Sequence, residues 1–587
     1  MKSLLRLLPY LRKYKKTLLW GLLTVIVSNS FSVATPFFIG KAIDTLKAGL
    51  DAHTLHYSDL LRYAFMIVGF SLIAGFMTYL TRQTIIVVSR LIEFDLRNDF
   101  LAHLQKQPLT FFQNTPTGDL MAHATNDINS VRNALGPGIM YPSDTFMTFS
   151  MALTMMLISD WSLALIALIP LPLVSYAVYK LGKVIHEKFN ERQAEYSLLT
   201  TRAQENLSGI RVVKAYVREE YEIDEFRKLS WSYLKKNLVL ARAQSIMWPL
   251  MYVLVGLSII IAMYIGGRQV IGGEISIGTL TAFFTYLSML IWPMIAFGWV
   301  TNILQQGAAS MARLGKILDA VPEIRDTADT DRTIVDLTGT IEFDHVTFRH
   351  KGASEPTLHD ITLEIPAGTT LAIVGPTGSG KSTLVNLLPR LYEVTEGRLL
   401  VDGRDIKTIP IETLRRHIGY VPQETFLFSE TLSANISYGK DGVDGELIHE
   451  AAEISQISKD IIDFPKQFDT MLGERGITLS GGQKQRTSIA RAVLRKPRVL
   501  ILDDALSAVD TYTEEAILSR LRRVMQERTS IIISHRISTV KDADMIIVMK
   551  EGRIVERGTH TELVALGGLY ADLHFRQLLE KELDEIS

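Results

Sequence analysis

The chain has 587 residues, with 62 lysines and arginines against 63 aspartates and glutamates, which gives a formal net charge of −1. This balance argues against a nucleic-acid binder that acts through a basic surface. Hydrophobic residues make up 47% of the chain and the mean hydropathy is +0.17, which is high for a soluble enzyme. Because the chain has no cysteine, disulfides, thiolate metal sites and cysteine nucleophiles are excluded. The length predicts two or more domains, and the hydropathy predicts that part of the chain lies in lipid.

Long runs without charged residues fall in the first part of the chain. Five of them are long enough to cross a hydrocarbon core of about 30 Å as helices of about 20 residues. These five runs are Thr17–Gly40, Tyr63–Thr81, Trp161–Tyr179, Ala243–Gly267 and Ile275–Ala312. A sixth run, Thr145–Ser159, reaches that length only if its helix begins near Ile139 and includes Asp144. The sequence therefore predicts a domain of six transmembrane helices over residues 17–318.

Basic residues ahead of the first run predict the orientation of the spans. They are Lys2, Arg6, Arg12, Lys13, Lys15 and Lys16. Such an excess marks the cytoplasmic side of a membrane, so residues 1–16 are predicted to be a cytosolic elbow segment. The two long connections, roughly Arg82–Arg132 and Lys180–Arg242, then lie in the cytosol. Spans two to five are expected to continue into them as helices.

From about Gly339 the chain changes character. Short β-branched runs alternate with polar helical stretches, which is typical of an α/β domain with a largely parallel sheet. Strands are predicted at Ile341–Phe343, Leu371–Val374, Val499–Leu502, Ser530–Ile533 and Met545–Met549. Residues 319–338 are predicted to be a linker, since their first part is rich in Asp, Thr and Pro.

A glycine-rich motif follows the strand Leu371–Val374 and precedes a helix predicted at Thr383–Arg390. Its pattern, G-x-x-x-x-G-K-S, is that of a phosphate-binding loop, whose backbone N–H groups surround phosphate oxygens. The predicted nucleotide-binding residues of this loop are Gly375, Pro376, Thr377, Gly378, Ser379, Gly380, Lys381, Ser382 and Thr383. A second apolar strand ends at Asp503, so Ser382 and Asp503 are predicted Mg²⁺ ligands. Residues 339–587 are therefore predicted to form an ATPase domain.

A third motif decides the kind of ATPase. Leu479-Ser480-Gly481-Gly482-Gln483 lies between the other two motifs and opens a helix, with Gln423 before it and His535 after it. This order of motifs resembles that of the ABC transporter family over essentially the whole chain. Six spans ahead of one such domain are similar to a half-transporter of the multidrug exporter type. The predicted fold class is an all-α six-helix transmembrane domain fused to an α/β P-loop nucleotide-binding domain.

The resemblance implies a role for each matching residue, with ATP and Mg²⁺ as cofactors. Two nucleotide-binding domains face head to tail, and ATP held by one chain is covered by the signature residues of the other, Ser480, Gly481, Gly482 and Gln483. Gln423 would contact Mg²⁺ and the attacking water, and His535 would contact the γ-phosphate, unless it merely caps a strand. His350 stands where a tyrosine usually stacks on adenine.

The chain departs from the family pattern at Asp504, where a glutamate normally serves as general base. Aspartate is one methylene shorter, and a base must lie within hydrogen-bond reach of its proton. The site on this chain is therefore expected to bind ATP and to hydrolyse it slowly, although the signature residues are intact. This combination is similar to one half of the heterodimeric exporters. The alternative is a homodimer in which Asp504 is a conservative replacement.

The predicted function is ATP-driven export of hydrophobic or amphipathic small molecules, drugs or lipids, as one half of such a pair. An ATP-gated regulator or channel is a further alternative. The predicted partners are a second half-transporter, the lipid bilayer and the substrate, and no nucleic acid. The chain is expected to be multi-pass in the cell (inner) membrane, with its N terminus and its nucleotide-binding domain in the cytoplasm.

Two features of the membrane half bear on coupling and on substrate. The segments Phe111–Leu120 and Glu205–Arg211 resemble intracellular loops that dock on nucleotide-binding domains, although they could be connectors that only pack. An ionisable group inside a span is costly and usually functional. Asp144 could therefore bind a cationic substrate, or it could lie near the outer interface.

Overall fold

The computed structural model describes residues 2–51, 53, 57–440, 442–473, 476 and 479–586. The chain divides into two compact units. The first contains Met1–Leu104 and Thr117–Ala320, and the second contains Gln105–Pro116 and Val321–Ser587. The first unit is helical and the second is α/β, which confirms the predicted fold class.

The first unit is built from long helices with short helical connections. A 3₁₀ segment at Lys2–Leu7 comes first, and π-helical turns occur at Arg82–Ile86 and His123–Asp127. The helices are α1 (Leu8–Lys13), α2 (Lys15–Asp51), α3 (Tyr57–Thr81), α4 (Val87–Leu104), α6 (Thr117–Ala122), α7 (Ile128–Leu135), α8 (Pro137–Ser159), α9 (Trp161–Ala167), α10 (Pro170–Ser208), α11 (Ile210–Ala215), α12 (Glu219–Ser245), α13 (Met247–Ile271), α14 (Ile277–Met289) and α15 (Ile291–Leu318). The short helix α5 (Leu109–Asn114) belongs to the second unit.

Five continuous helical stretches among the described residues are long and apolar enough to cross a membrane. They are Lys15–Asp51, Tyr57–Leu104, Trp161–Ser208, Glu219–Ile271 and Ile277–Leu318. The sixth predicted span coincides with α8, a helix of 23 residues that contains Asp144. Three of the five stretches have 48, 48 and 53 residues, so they are much longer than the bilayer requires. Spans two to five were predicted to continue beyond the membrane, and this length agrees with the prediction for spans two, four and five. Span three, α8, has only 23 residues.

The elbow segment is held against the helices that follow it. Lys13 Nζ and Tyr14 Oη donate to the carboxylate of Asp95 on α4, at 2.7 and 3.0 Å. The hydroxyl of Tyr10 donates to Asp99 one turn later, at 2.5 Å. These bonds anchor the basic N-terminal residues to α4.

Helices α2 and α14 approach each other closely at two glycines. A Cβ atom built on Gly278 would overlap the carbonyl oxygen of Gly40 and would lie 2.6 Å from Asp44 Cγ. Asp44 also caps the N terminus of α14. Its Oδ1 accepts a hydrogen bond from the N–H of Gly278 at 2.8 Å, and its Oδ2 accepts one from the hydroxyl of Ser276 at 2.6 Å. The contact is therefore made of backbone on both sides and has no room for a side chain.

Replacing Gly278 by alanine is expected to destabilise the protein by about 2 kcal/mol or more, because the nearest atom, the carbonyl oxygen of Gly40, is backbone and cannot rotate away. Gly267→Ala on α13 is the matched control, since nothing lies within 4 Å of a Cβ atom there. Thermal unfolding of the detergent-solubilised protein checks this. A Gly278→Ala variant that melts together with the Gly267→Ala variant would contradict the close contact.

The described residues of the second unit form ten strands in two sheets. The strands are β1 (Ile341–Phe348), β2 (Leu358–Ile365), β3 (Thr370–Val374), β4 (Glu396–Val401), β5 (Arg404–Asp405), β6 (Ile418–Val421), β7 (Val499–Asp503), β8 (Thr529–Ile533), β9 (Met545–Lys550) and β10 (Arg553–Gly558). The six-stranded sheet has the order β10-β9-β3-β8-β7-β6 and is parallel except for the β9–β10 pair. The prediction of a largely parallel sheet holds for this one.

The first predicted strand does not belong to that sheet. Ile341–Phe343 lies in β1, which pairs antiparallel with β2 and β4 in the separate sheet β2-β1-β4-β5. The alternation of strands and helices that predicts a parallel sheet begins only at β3, because β1 and β2 follow each other without a helix between them.

After β3, the part of this unit that the structure describes also contains α-helices. They are α16 (Lys381–Asn386), α17 (Ile411–Arg416), α18 (Leu432–Ser437), α19 (Gly445–Ile454), α20 (Ser458–Ile462), α21 (Gly481–Leu494), α22 (Thr511–Met525), α23 (Ile537–Val540), α24 (His560–Leu566) and α25 (Leu569–Ile586). The helix predicted at Thr383–Arg390 begins two residues earlier and ends at Asn386. Pro389 lacks an N–H, and Arg390 has a positive φ of 48°, so the chain turns there.

Candidate functional site

A cavity of about 240 Å³ lies at one edge of the six-stranded sheet. The motif residues follow the carboxyl ends of four neighbouring strands: Gly375 follows β3, Gln423 follows β6, Asp504 follows β7 and His535 follows β8. The carboxyl ends of parallel strands meet at the same edge of a sheet. The cavity is lined by Thr357, Thr377, Gly378, Ser379, Gly380, Lys381, Ser382, Thr383, Gln423, Asp503, Asp504, Ile533 and His535.

Lys381 lies inside the glycine-rich loop with 6% of its surface exposed. Its Nζ donates to the carbonyl oxygens of Gly375 and Pro376, each at 2.9 Å. Burial lowers the pKa of Lys381, while the nearby carboxylates of Asp503 and Asp504 act in the opposite direction. An ammonium group that is paired with neutral carbonyls is a receptor for a phosphate anion.

The loop backbone leaves space and hydrogen-bonding capacity for that anion. Gly375 has φ +147° and Gly380 has φ +95°, which a residue with a Cβ atom rarely adopts. A Cβ atom on Gly375 would also overlap the carbonyl oxygen of Met549. The hydroxyl of Ser379 is buried and has no hydrogen-bond partner among the described residues. A buried, unpaired hydroxyl in such a loop is suited to a ligand oxygen.

Two oxygen donors meet at the end of β7. Ser382 Oγ donates to Asp503 Oδ1 at 3.0 Å, and Asp503 is only 2% exposed. Burial raises the pKa of Asp503, against the hydrogen bond from Ser382, and the adjacent Asp504 raises it further. Mg²⁺ prefers hard oxygen ligands such as a hydroxyl and a carboxylate. The two side chains therefore fit the metal ion that accompanies a nucleoside triphosphate.

Asp504 is held by its backbone in a left-handed conformation, with φ +48°. Its N–H donates to the carbonyl of Ile533 at 2.9 Å, and its carbonyl accepts from Ser507 Oγ at 3.0 Å. Aspartate tolerates this conformation better than most residues. The backbone fixes the direction of the side chain, so its length decides how far into the cavity the carboxylate extends.

A buried glutamine connects the carboxylate strand with the signature helix. Gln485 on α21 donates to Ser507 Oγ at 3.0 Å and to the carbonyl of Asp504 at 3.4 Å. Its Oε1 accepts from the N–H of Ala508 at 2.9 Å. The sequence analysis missed Gln485, although it lies two residues after the signature.

The signature residues form the start of α21 and do not line the cavity of their own chain. Ser480 is the N-cap, its Oγ accepts from the N–H of Gln483, and the side chain of Gln483 accepts from the N–H of Ser480. The amide nitrogen of Gln483, Nε2, donates to Asp460 Oδ1 at 2.9 Å, and Asp460 also forms a salt bridge with Arg486. This reciprocal capping box fixes the helix start and leaves Gly481 and Gly482 next to it.

His535 lines the cavity and its loop is held by the C-terminal helix. Gln577 on α25 donates to the carbonyl of His535 at 2.5 Å and accepts from the N–H of Ile537 at 2.8 Å. The helix is itself anchored by Glu556, whose carboxylate accepts from the N–H groups of Leu569 and Tyr570. No pattern in the sequence pointed to Gln577, because glutamine on an amphipathic helix is ordinary.

Replacing Gln577 by methionine, which has a similar shape and no donor, is expected to lower the ATPase kcat of the chain about five- to tenfold through misplacement of His535. The KM for ATP is expected to change less than kcat, since Lys381 and the rest of the glycine-rich loop still bind the phosphates. Arg576→Met on the same helix is the control, because Arg576 forms its ion pair with Asp572, one turn away on the same helix. Steady-state kinetics decide: a raised KM at constant kcat, or an equal loss in the control, would contradict this role.

The structure does not bring His350 into the cavity. Its ring packs edge-on against Phe348 and Tyr392, with centroids 4.8 and 5.3 Å apart. Tyr392 also accepts a hydrogen bond from Gln113 Nε2 at 2.7 Å, within the second unit. Gln113 lies in the segment Gln105–Pro116, so part of the first predicted intracellular loop is bound to the α/β unit.

Comparison with known proteins extends over the whole chain. Residues 18–294 match the ABC transporter transmembrane region and residues 358–507 match the ABC transporter family. The probable multidrug resistance ABC transporter ATP-binding/permease protein YheI of Bacillus subtilis (strain 168) is 38% identical over 563 residues, 95% of each chain. The ATP-dependent lipid A-core flippase of Syntrophus aciditrophicus (strain SB) is 35% identical over 580 residues, 99% of this chain and 95% of the flippase.

A solved structure has the same fold. It is the structure of a bacterial Atm1-family ABC exporter with ATP bound, which superposes with a TM-score of 0.81 at 28% sequence identity. The match covers 96% of this chain and 99% of the exporter chain.

Proposed function

The chain belongs to the ABC transporter family, and from this premise we propose that it is one half of a heterodimeric exporter with one slow and one competent ATP site. Membership makes the chain a multi-pass membrane protein with an ATP-binding domain. Its relatives include a multidrug resistance protein and a lipid A-core flippase, which supports ATP-driven export. The observation that carries the heterodimer is Asp504, an aspartate at the position of the general base.

The cavity supplies the parts of a nucleotide site. Lys381 and the orphan hydroxyl of Ser379 bind phosphate oxygens, and Ser382 and Asp503 would hold the Mg²⁺ ion, which neutralises charge on the phosphates. Gln423 is placed on the neighbouring strand end to orient the attacking water, and His535 to bind the γ-phosphate. His350, which packs against Tyr392, is the proposed adenine contact.

Hydrolysis at this site is proposed to be slow because Asp504 is short. Its backbone is tied to Ile533 and Ser507, so it cannot move forward to replace the missing methylene. A general base contributes about 10²- to 10⁴-fold when it is within reach of its proton. If the attacking water lies beyond the reach of Asp504, part of this rate acceleration is lost. ATP binding through Lys381 is unaffected.

The signature residues are proposed to act at the other site. Ser480 caps a helix of 14 residues, but none of Ser480, Gly481, Gly482 and Gln483 lines the cavity of their own chain. A capped helix start with exposed Ser480 and Gly481 is suited to the γ-phosphate of a nucleotide held by another chain. With a partner that carries glutamate, this chain completes the competent site.

The second predicted intracellular loop is also suited to a partner. Around α11 it carries apolar side chains that are largely exposed in the single chain, among them Leu207, Val212, Tyr216 and Val217. Exposed apolar side chains grouped in this way mark interaction sites. We assign this surface to the nucleotide-binding domain of the partner chain, through which closure of the ATP sites is passed to the spans.

The transported substrate is proposed to be a hydrophobic or amphipathic small molecule, a drug or a lipid. The relatives named for drugs and for lipid A-core support this class. The basic residues at the elbow segment favour a location in the cell (inner) membrane with the N terminus and the nucleotide-binding domain in the cytoplasm.

Transport into inverted membrane vesicles tests the proposal. The chain, alone and together with its partner half-transporter, is reconstituted, and uptake of a fluorescent amphipathic dye and ATP hydrolysis are measured in parallel. We expect vanadate-sensitive uptake against a gradient, with fast hydrolysis only in the pair. Uptake that never exceeds equilibrium would instead indicate an ATP-gated channel, and fast hydrolysis by the chain alone would indicate a homodimer.

A further inference from the structure

Helices α2 and α8 enclose a second cavity, in the membrane unit. It has a volume of about 390 Å³, which is within the range of small-molecule sites. All but one of its lining side chains are apolar, and the exception is Ser143. The lining residues are Leu22, Val25, Ile26, Pro142, Ser143, Phe146 and Met147. Phe146 is 65% exposed, so the cavity offers an aromatic surface to a ligand.

A polar group of three side chains adjoins this cavity. Asp144 Oδ1 accepts from Asn29 Nδ2 at 2.9 Å, and Thr148 donates to the amide oxygen of Asn29. Asn29 follows Val25 by four residues on α2, and Thr148 follows Asp144 by four residues on α8, so each pair shares a helix face. None of the three side chains lines the cavity, but Asp144 directly follows the lining residue Ser143, and Asn29 lies one turn from the lining residue Val25.

The hydrogen bond to Asn29 fixes how deep this carboxylate lies. Asn29 is the 13th of the 24 residues in the uncharged run Thr17–Gly40. It lies about 18 Å along α2 from Thr17, at a rise of about 1.5 Å per residue. The carboxylate of Asp144 therefore lies beside the middle of the first apolar run, and Asp144 is the eighth of the 23 residues of α8.

A purely structural role does not account for an acid at this depth. Asparagine would accept the same hydrogen bond from Asn29, whereas an aspartate at the centre of a span costs about 2.5–3.5 kcal/mol. Among the described residues, no lysine, arginine or histidine forms an ion pair with Asp144. The carboxylate of Asp144 is therefore held by a clamp of two neutral side chains, Asn29 and Thr148, next to the wall of an apolar cavity.

We propose that the cavity between α2 and α8 binds a monovalent organic cation with a rigid apolar body, and that Asp144 is its counter-ion. The cation's apolar groups contact Phe146, Met147 and Val25, and its charge faces the carboxylate. This inference rests on the proposed export function and narrows its substrate class to amphipathic cations. Asn29 and Thr148 position the carboxylate and do not carry charge.

Equilibrium binding without ATP tests this site separately from transport. The full-length chain in nanodiscs of zwitterionic lipid is titrated with tetraphenylphosphonium and with tetraphenylborate, which has the same shape and the opposite charge. We expect wild-type protein to prefer the cation, and Asp144→Asn to weaken cation binding at least about tenfold, equivalent to about 1.4 kcal/mol. Thr148→Val removes the hydrogen bond to Asn29 and keeps the carboxylate of Asp144. This variant is expected to lose much less affinity for the cation.

A second variant keeps the test decisive if Asp144→Asn does not fold. Phe146→Ala removes an exposed ring of the cavity and is expected to weaken both ions by a similar factor, with the preference for the cation intact. Equal affinity of the wild type for both ions, or an Asn variant that keeps the preference, overturns the proposal. If the cation binds but no solute is pumped, the export function fails and the site stands.

Discussion

Replacing Asp504 by glutamate is expected to raise the ATPase rate of the isolated chain at least about tenfold, since an added methylene brings a general base within reach of the attacking water. The backbone at this position is fixed by the bonds of Asp504 to Ile533 and Ser507, so the added length projects into the cavity. The KM for ATP should change little, because Lys381 and Ser382 are untouched. Phosphate release under saturating ATP measures the gain.

Asp504→Asn is the control for this gain. It has the size of the native residue and no basic oxygen pair, so it should lose most of the residual activity of the isolated chain. A glutamate variant that is no faster than the native chain would show that Asp504 does not limit hydrolysis. The homodimer would then be the better description.

Replacing Ser480 by alanine is expected to reduce the ATPase rate of the complex between this chain and its partner about 10²-fold, the typical effect of removing a donor that stabilises transition-state charge. Ser480 caps α21 and is proposed to face the γ-phosphate at the competent site. The rate is measured on the purified complex at saturating ATP.

The chain contains a matched control for the loss of this cap. Thr559 and Glu562 form the same reciprocal capping box at the start of α24, outside the cavity. Thr559→Ala removes a cap of similar stability, about 1 kcal/mol, and should leave the rate within about twofold. If both variants lower the ATPase rate equally, the loss caused by Ser480→Ala comes from reduced stability of the fold and not from a lost phosphate contact.

A heterodimer and a homodimer can be distinguished because only the heterodimer has two unequal ATP sites. Lys381→Met on the same chain removes the phosphate ligand of the slow site only. In a heterodimer it should reduce the rate of the complex much less than Ser480→Ala does. Equal losses from the two changes would indicate two equivalent sites.

The sequence contained most of the architecture because its signals are local. Hydropathy predicted the long apolar helices, and the alternation of strands and helices predicted β3, β7, β8 and β9. The helix α8 was the least distinct span, since Asp144 and several hydroxyl residues interrupt its apolar pattern. The place of β1 depends on its pairing with β2 and β4, which no local pattern specifies.

In the nucleotide site, too, some residues were predicted from local sequence patterns and others were found only in the folded structure. The glycine-rich loop and Asp503 were found from the sequence because each lies directly after a strand. The supports around them were not found: Gln577 acts on His535 across 42 positions, and Gln485 on the signature helix donates to Ser507 and to the carbonyl of Asp504. Glutamine has no pattern of its own, so its partners emerge only when the chain is folded.

The glycine contact between α2 and α14 limits how the membrane unit can open. Pulling these two helices apart would deprive the start of α14 of its aspartate cap and would expose two backbone segments to lipid, where unpaired N–H and C=O groups are costly. The first and last spans are thus expected to move together as one rigid body. A release path to the outside must then open along another interface between helices of the bundle, and substrates leave through that interface.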